Sequence, residues 1–205
     1  VNTGWGAAGI LGAYVVMCSG ICLFMTGLLY PVAVWLGRTR LSDFQRGVGA
    51  AQMVAVSTRS SLATLPALIE GGERDLRMPK SVTGFVFPLS GSIFKLSPMV
   101  SGVFLAPFVA EVFEIPFTLG QMAYFLALNV MLSVTVVGVP RGGSGFTRLP
   151  AYTAVGLPVE GVVIALVART IPDIFMTLLN TTAYMTVGVL LTREYRRIQV
   201  TMPTW

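Results

Sequence analysis

Five side chains near the end of the chain have the spacing of one helix face. They are Asp173, Met176, Thr177, Asn180 and Tyr184. Residues three or four positions apart are neighbours on a helix surface, so this stripe can face a small polar ligand. An ionised carboxylate in an apolar segment is costly, which makes Asp173 a candidate for binding a cationic group. The structural alternative is an ion pair between Asp173 and either Arg169 or Lys95.

Two polar interruptions supply further groups that could contact a ligand. Residues 57–61 and 138–143 each separate apolar segments shorter than the roughly 20 residues that cross a bilayer as a helix. Non-helical backbone is tolerated at membrane depth only where it lines a cavity enclosed by protein. Two broken segments in corresponding positions are typical of the substrate site of a secondary transporter. A plain loop at each turn is the alternative.

The residues at these interruptions suit a small charged ligand. We expect Ser60 and Ser61 to begin a half-helix, whose free N–H groups and dipole favour a carboxylate. Gly138, Gly142 and Gly143 allow the backbone to approach a ligand closely and allow the second interruption to act as a gate.

The composition places these segments in a membrane. Of the 205 residues, 54% are hydrophobic and 11% are charged, whereas soluble domains have about 25% charged residues. The net charge of +5 comes from basic residues at the ends of apolar runs, which argues against a nucleic-acid partner. The absence of histidine and of nucleotide-binding fingerprints argues against an enzyme, and two cysteines are too few for a metal site.

The apolar pattern predicts an all-α membrane protein with two re-entrant helical hairpins and an inverted repeat. The predicted elements are a transmembrane span (8–36), re-entrant hairpin 1 (41–73), an interrupted span (81–110), re-entrant hairpin 2 (117–155), an interrupted span (157–192) and a cytoplasmic tail (193–205). Pro31 implies a kink or an early end of the first span. Pro88 and Pro98 imply unwound backbone in the middle of the third segment.

Basic residues set the predicted orientation. Nine of them fall on one side if the elements alternate in this way: Arg38, Arg40, Arg46, Arg74, Arg77, Lys80, Arg193, Arg196 and Arg197. The loop at 111–116 on the other side has none. By the positive-inside rule we expect a multi-pass protein of the inner (plasma) membrane with a cytoplasmic C-terminus and with the second hairpin opening outward.

Four motifs in this arrangement resemble the dicarboxylate/amino acid:cation symporters, the glutamate-transporter homologues. They are S-T-R-S-S-L-A-T-L-P (57–66), F-V-F-P-L-S-G-S-I (85–93), G-V-P (138–140) before V-G-L-P (155–158), and D-x-x-x-T-x-x-N (173–180). They follow the family's order and spacing over nearly the whole chain. The resemblance implies the transport domain of an elevator-type carrier, with the N-terminal scaffold spans absent from this sequence and a homotrimer when complete.

The resemblance also implies roles for single residues. In the family, an aspartate matching Asp173 holds the substrate's amino group, and Met176 stands where an arginine holds an acidic side chain. A neutral amino acid is therefore favoured, although Arg59 at the first tip offers another partner for a carboxylate. The implied substrate-binding residues are Arg59, Ser60, Ser61, Val139, Pro140, Gly143, Asp173, Met176, Thr177 and Asn180. The implied gate consists of Gly138, Arg141 and Gly142.

The sodium sites implied by the resemblance are altered. Residues 94–97, Phe-Lys-Leu-Ser, replace the family's asparagine-methionine-aspartate-glycine, and Tyr184 replaces a sodium-binding aspartate. Hard cations need several oxygen ligands, so we expect the two sites built on these residues to be absent. A third site at backbone carbonyls near Ser92 and Ser133 remains. No cofactor is expected, and the coupling ion is a proton or residual sodium.

Lys95 offers a substitute for the lost cation. Its ammonium group can occupy the place of a bound ion, pair with Asp173, or carry a proton through the transport cycle. The alternative is that this side chain extends to the membrane surface.

The sequence therefore predicts a symporter that moves an amino acid or small dicarboxylate across the bilayer by an elevator mechanism, without the usual sodium sites. The alternative is a membrane sensor or accessory protein that retains the pocket but does not transport. The loss of sodium ligands favours the sensor, whereas the gate glycines and the polar stripe favour the carrier.

Overall fold

The computed structural model describes residues 3–135 and 148–201, and this part of the chain is all helical, as predicted. Its helices are α1 (Thr3–Trp35), α2 (Leu41–Thr58), α3 (Leu65–Arg74), α4 (Lys80–Ile93), α5 (Ser97–Val112), α6 (Leu119–Thr135), α7 (Leu149–Ala154), α8 (Glu160–Ala168) and α9 (Pro172–Thr201). The second interruption, 138–143, lies outside the described residues.

Two of these helices are long and apolar enough to cross a bilayer. By length and composition they qualify over Gly9–Trp35 in α1 and Pro172–Gln199 in α9, with hydropathy of 1.9 and 1.6. Helix α1 passes through Pro31 and ends one turn later. Helix α9 continues to Thr201, beyond the predicted end of the span at 192. An ion pair between Glu194 and Arg197 supports this last part, because residues three apart are neighbours on a helix.

Helices α2 and α3 pack against each other as a helical hairpin. Helix α2 ends where Arg59 adopts a left-handed conformation (φ 52°), and its backbone N–H donates to the Ala55 carbonyl at 2.8 Å. Helix α3 begins at Leu65 with a proline in its first turn, where the missing N–H has no helical partner to lose. Gly71 lies so close to the Gly47 carbonyl that a Cβ at position 71 would overlap it. Small residues therefore fix the closest approach of the two helices.

The turn between α2 and α3 corrects one expectation from the sequence. Ser60 and Ser61 do not begin the second half-helix, which starts only after Thr64. The Ser60 Oγ accepts a bond from the Ala63 N–H at 3.4 Å, and the Thr64 hydroxyl donates to the Ser61 carbonyl at 2.7 Å. Serine and threonine side chains that bond the nearby backbone stabilise turns at the expense of helix, which explains the later start.

The third segment is interrupted at residues 94–96, between α4 and α5. The expected unwinding at Pro88 is wrong, because this proline lies inside α4. A proline removes the bond to the carbonyl four residues before it, and the residue at that position, Gly84, is exposed. Pro98 falls in the first turn of α5, a position that proline tolerates. The break therefore coincides with Lys95.

The described chain forms two compact units. The first contains residues 1–23 and 92–176, and the second contains 24–91 and 177–205. In the first unit, the rings of Tyr14 and Phe108 stack at 5.1 Å between centroids, and Phe125 meets Tyr152 edge to face at 5.2 Å. These aromatic contacts join α1 to α5 and α6 to α7.

The second unit has a continuous apolar core around hairpin 1. Its buried residues come from α1, α2, α3, α4 and α9 and from the α3–α4 connection: Ala33, Phe44, Val48, Ala51, Leu68, Met78, Phe87, Tyr184, Met185 and Val189. Phe87 also packs against Gly188, where a Cβ would meet its ring at 2.7 Å. Helix α9 is thus held against hairpin 1 by close apolar packing.

Candidate functional site

The five stripe residues all lie on helix α9, which is continuous from Pro172 to Thr201. Asp173 is half-buried in the first turn. The remaining four side chains are at most 5% exposed: Met176, Thr177, Asn180 and Tyr184. Asp173 and Met176 belong to the first unit, and the others belong to the second.

Asp173 faces Arg169, the first residue of the break at 169–171 that separates α8 from α9. The carboxylate Oδ1 lies 3.9 Å from the Arg169 Nη2, and the Asp173 backbone N–H donates to the Arg169 carbonyl at 2.8 Å. At 3.9 Å the side-chain pair attracts electrostatically without a short hydrogen bond. The structural alternative for Asp173 is thus realised in part, by Arg169.

The same guanidinium contacts Met176. Its Nη2 lies 3.8 Å from the Met176 sulphur, at a position two helical turns along the chain. Met176 itself is apolar and 1% exposed. A cation therefore lies beside this position although the residue there carries no charge. The sequence analysis considered Arg169 only as a partner of Asp173, although its separation from Met176 by seven residues is also a helical spacing.

Two more cations of the first unit lie near this pair. Lys95 is half-buried in the α4–α5 break, within electrostatic range of Asp173 and Arg148. Arg148 lies just before α7 and is in range of Arg169 and Asp173. Within the described residues of this unit, one cation thus pairs with the Asp173 carboxylate and two more lie within electrostatic range of it. This excess of positive charge favours a ligand that carries an anionic group. Nothing in the sequence singled out Arg148 in advance.

Two buried polar atoms accompany this cationic group. The Tyr152 hydroxyl and the Arg169 Nε have no hydrogen-bond partner within the part of the chain that the structure describes. Both residues line a small cavity of about 10 Å³ with Arg148. Buried polar atoms without a partner are costly, so this region is a candidate for completion by a ligand or a water molecule.

At the tip of hairpin 1, Arg59, Ser60 and Ser61 form a tight turn in the second unit. Tyr184 is fully buried and its hydroxyl lies beside Ser61, without an ordinary hydrogen bond to any described residue. The ring belongs to the apolar core described above, together with Phe87. A phenol in apolar surroundings is a poor site for a hard cation, which prefers several oxygen ligands.

A polar network in the second unit was not anticipated from the sequence. The Gln52 amide donates to the Thr182 hydroxyl at 2.9 Å and bonds the Tyr30 hydroxyl at 3.0 Å. It connects α1, α2 and α9 within an otherwise apolar region. The only available signal was the placement of these residues in apolar helices, where buried polar groups require partners.

The remaining predicted site residues are distributed as follows. Ser92 is half-buried in the last turn of α4, and Ser133 lies near the end of α6. The predicted residues of the second hairpin lie outside the described residues: Gly138, Val139, Pro140, Arg141, Gly142 and Gly143.

Comparison with known proteins decides the family. The sequence profile of the Sodium:dicarboxylate symporter family matches residues 1–194. The chain belongs to this family. The match confirms the resemblance inferred from the four motifs, and with it a membrane protein of a transporter family rather than of an enzyme family.

Individual relatives agree with the assignment of this symporter-family chain. It is 28% identical over 171 residues to excitatory amino acid transporter 3 of Oryctolagus cuniculus and 26% identical to that of Homo sapiens, covering 83% of the chain in each case. It is 31% identical over 137 residues, 67% of the chain, to an excitatory amino acid transporter of Caenorhabditis elegans. These alignments span 32%, 32% and 27% of the relatives, so the chain corresponds to about a third of their length.

Proposed function

We propose that the complete protein containing this chain is a secondary active symporter for an amino acid or small dicarboxylate. The domain 1–205 moves across the membrane in an elevator mechanism, with residues 41–73 and 117–155 as re-entrant hairpins. The observation that carries the proposal is the position of Lys95, a half-buried cation in a helix break of a symporter-family chain, within electrostatic range of Asp173.

Coupling does not depend on the family's usual sodium sites. Within the described residues, Lys95 forms no ion pair of 4.0 Å or less. Its ammonium group therefore supplies positive charge in the break, where a bound ion would otherwise do so. The flanking Phe94 and Leu96 offer apolar side chains, and Tyr184 is buried in an apolar core. A proton is the coupling ion, with one residual sodium site at backbone carbonyls near Ser92 and Ser133.

The substrate is an amino acid whose amino group binds Asp173. Thr177 and Asn180 complete the pocket on α9, and the two hairpin tips close it through Arg59, Ser60, Ser61, Val139, Pro140 and Gly143. The gate consists of Gly138, Arg141 and Gly142. The apolar, buried Met176 favours a neutral side chain, because it offers no partner for a second carboxylate.

A second substrate class has its own supporting observation. The Arg169 guanidinium lies 3.8 Å from the Met176 sulphur, so a second carboxylate placed at Met176 would meet a cation after all. An acidic amino acid or a dicarboxylate such as malate would use this group, since arginine binds carboxylates through paired N–H donors.

The proposed surroundings of the domain follow from its exposed apolar surface. Only 22% of the most apolar window of α1 is buried by the rest of the chain. Lipid and the N-terminal scaffold spans of the complete protein cover this helix. We assign the protein to the inner (plasma) membrane as a homotrimer with a cytoplasmic C-terminus.

Radiolabelled uptake by the complete gene product in proteoliposomes tests this function. Serine, aspartate and malate are each offered under a sodium gradient and, separately, under a proton gradient. Serine accumulation driven by protons is the expected result. Aspartate or malate accumulation that is lost in Arg169→Gln would establish the second substrate class. Binding without accumulation of any substrate would instead establish the non-transporting sensor.

A further inference from the structure

A pocket of about 170 Å³ opens at the basic end of the second unit. It forms where the end of α1, the connection from α3 to α4 and the later turns of α9 come together. The lining residues used below are Arg38, Thr39, Met78, Thr192, Arg193 and Arg196. Its volume is below the roughly 300 Å³ at which sites for drug-sized ligands begin, and suits a small polar group.

The backbone around the pocket holds two of its arginines in place. The Arg193 guanidinium donates to the Leu36 carbonyl, and the Arg196 guanidinium donates to the Arg77 carbonyl at 2.7 Å. Gly37 packs so closely against Val189 that a Cβ at position 37 would overlap that side chain. Each guanidinium has five N–H donors, and each carbonyl occupies only one of them. The remaining donors are oriented before any ligand arrives.

The pocket is positively charged without local compensation. In the part of the chain that the structure describes, no carboxylate lies within 4.0 Å of Arg38, Arg193 or Arg196. The neighbouring acidic residue, Glu194, pairs with Arg197 at 3.7 Å instead. Three uncompensated guanidinium groups around one cavity attract an anion.

A buried hydroxyl gives a second, independent indication of a ligand. The Thr192 Oγ1 is buried without a hydrogen-bond partner among the described residues, and Thr192 lines the pocket at 5% exposure. Capping of the end of α1 would explain the bond from Arg193 to Leu36. It would explain neither the unsatisfied hydroxyl nor the presence of Arg38 and Arg196 around the same cavity.

We propose that this pocket binds the phosphate group of an anionic membrane lipid. Arginine matches phosphate oxygens with paired donors, and basic pockets between helices at a membrane surface bind anionic headgroups. Trp35, 76% exposed, and Leu41, 48% exposed, flank the α1 end of the pocket and offer apolar contact to the acyl chains. Tryptophan is enriched at this depth of the bilayer. The site is separate from the proposed transport pocket and does not rest on transport.

Lipid retention by the complete protein tests the site. The protein is reconstituted in nanodiscs of phosphatidylcholine with phosphatidylglycerol and then extracted in mild detergent. Native mass spectrometry then identifies the lipids that remain bound to it. We expect bound phosphatidylglycerol in excess over phosphatidylcholine. Arg196→Gln is expected to weaken retention about tenfold, the loss typical of a hydrogen bond to a charged group, and Thr192→Val by less.

Matched variants and a soluble probe distinguish the outcomes. Arg197→Gln alters a neighbouring cation outside the pocket and should retain the lipid, whereas Arg196→Lys keeps the charge and should retain it partly. Equal retention by the unmodified protein and Arg196→Gln would overturn the site. Saturation by inorganic phosphate, without enrichment of phosphatidylglycerol, would overturn the lipid as the source of the phosphate group.

Discussion

Two helix breaks of the first unit, at residues 94–96 and 169–171, share one sequence pattern and differ in one charge. Each has a cation three residues before a proline: Lys95 precedes Pro98, and Arg169 precedes Pro172. In each, the proline falls in the first turn of the next helix. Proline favours that position, so the pattern accounts for where both helices restart.

The difference lies four residues after each cation. Asp173 follows Arg169 and pairs with it at 3.9 Å, whereas Met99 follows Lys95 and carries no charge. Arg169 is thus paired with a carboxylate in the first turn of the following helix, whereas Lys95 has no carboxylate at the same spacing. The proposed coupling role of Lys95 rests on this difference in charge and not on the helix break itself.

The largest effect on substrate uptake is expected from removing the Asp173 carboxylate. Asp173→Asn should reduce substrate uptake by about 30-fold or more, because a hydrogen bond from the substrate's amino group to a charged carboxylate contributes about 1.5–3 kcal/mol. Radiolabelled uptake in proteoliposomes measures it. Asp43→Asn, also in the first turn of a helix, is the matched control and should transport normally. Normal transport by Asp173→Asn would remove Asp173 from the site.

Removing the Arg169 guanidinium should have a smaller effect on uptake. Arg169→Gln is expected to lower aspartate uptake about tenfold while serine uptake changes less, because the guanidinium lies beside Met176 and leaves Asp173 in place. Competition of unlabelled serine with aspartate provides the measurement. An equal loss for both substrates would show that Arg169 acts only through Asp173.

The substitution Met99→Asp gives the two breaks the same pattern of charge. Met99→Asp places a carboxylate four residues after Lys95, as Asp173 stands after Arg169. An exposed ion pair contributes about 0.2–1 kcal/mol, so proton-driven uptake should fall about twofold. Met99→Asn, which adds polarity without charge, controls for packing. No difference between these two variants would contradict a coupling role for the Lys95 charge.

The smallest effects are expected at the prolines. Pro98→Ala and Pro172→Ala should each lower the unfolding free energy by less than about 1 kcal/mol, since a proline in the first turn acts mainly through the unfolded chain. The Tm in detergent reports this, with uptake retained. Loss of uptake in only one of the two variants would show that the breaks are not equivalent in geometry.

Much of the fold was predictable because helix formation here follows apolar length and interruption. The sequence located the first hairpin turn and the interruption of the third segment, and the family match supports the motifs that defined them. Proline position was the weaker guide, since Pro88 is accommodated within α4 while the break falls at Lys95. Local side-chain bonds also moved the start of α3 past Ser60 and Ser61.

The helix that carries the polar stripe was predictable from the sequence, whereas most of its contacts were not. The spacing of the stripe placed Asp173 and Met176 on one helix, as the structure shows. The spacing of seven residues between Arg169 and Met176 was available in the sequence, whereas the position of Arg148 depends on how separate helices meet, which no periodicity encodes. The same holds for the bond between Gln52 and Thr182 in the second unit.

The most direct measurement compares the unmodified complete protein with Lys95→Met in proteoliposomes. Serine uptake is followed under a proton gradient without sodium and under a sodium gradient without a proton gradient, with Lys80→Met at the exposed start of α4 as the control. We expect proton-driven uptake that Lys95→Met abolishes and Lys80→Met retains. Unchanged transport and unchanged pH dependence in Lys95→Met would contradict it.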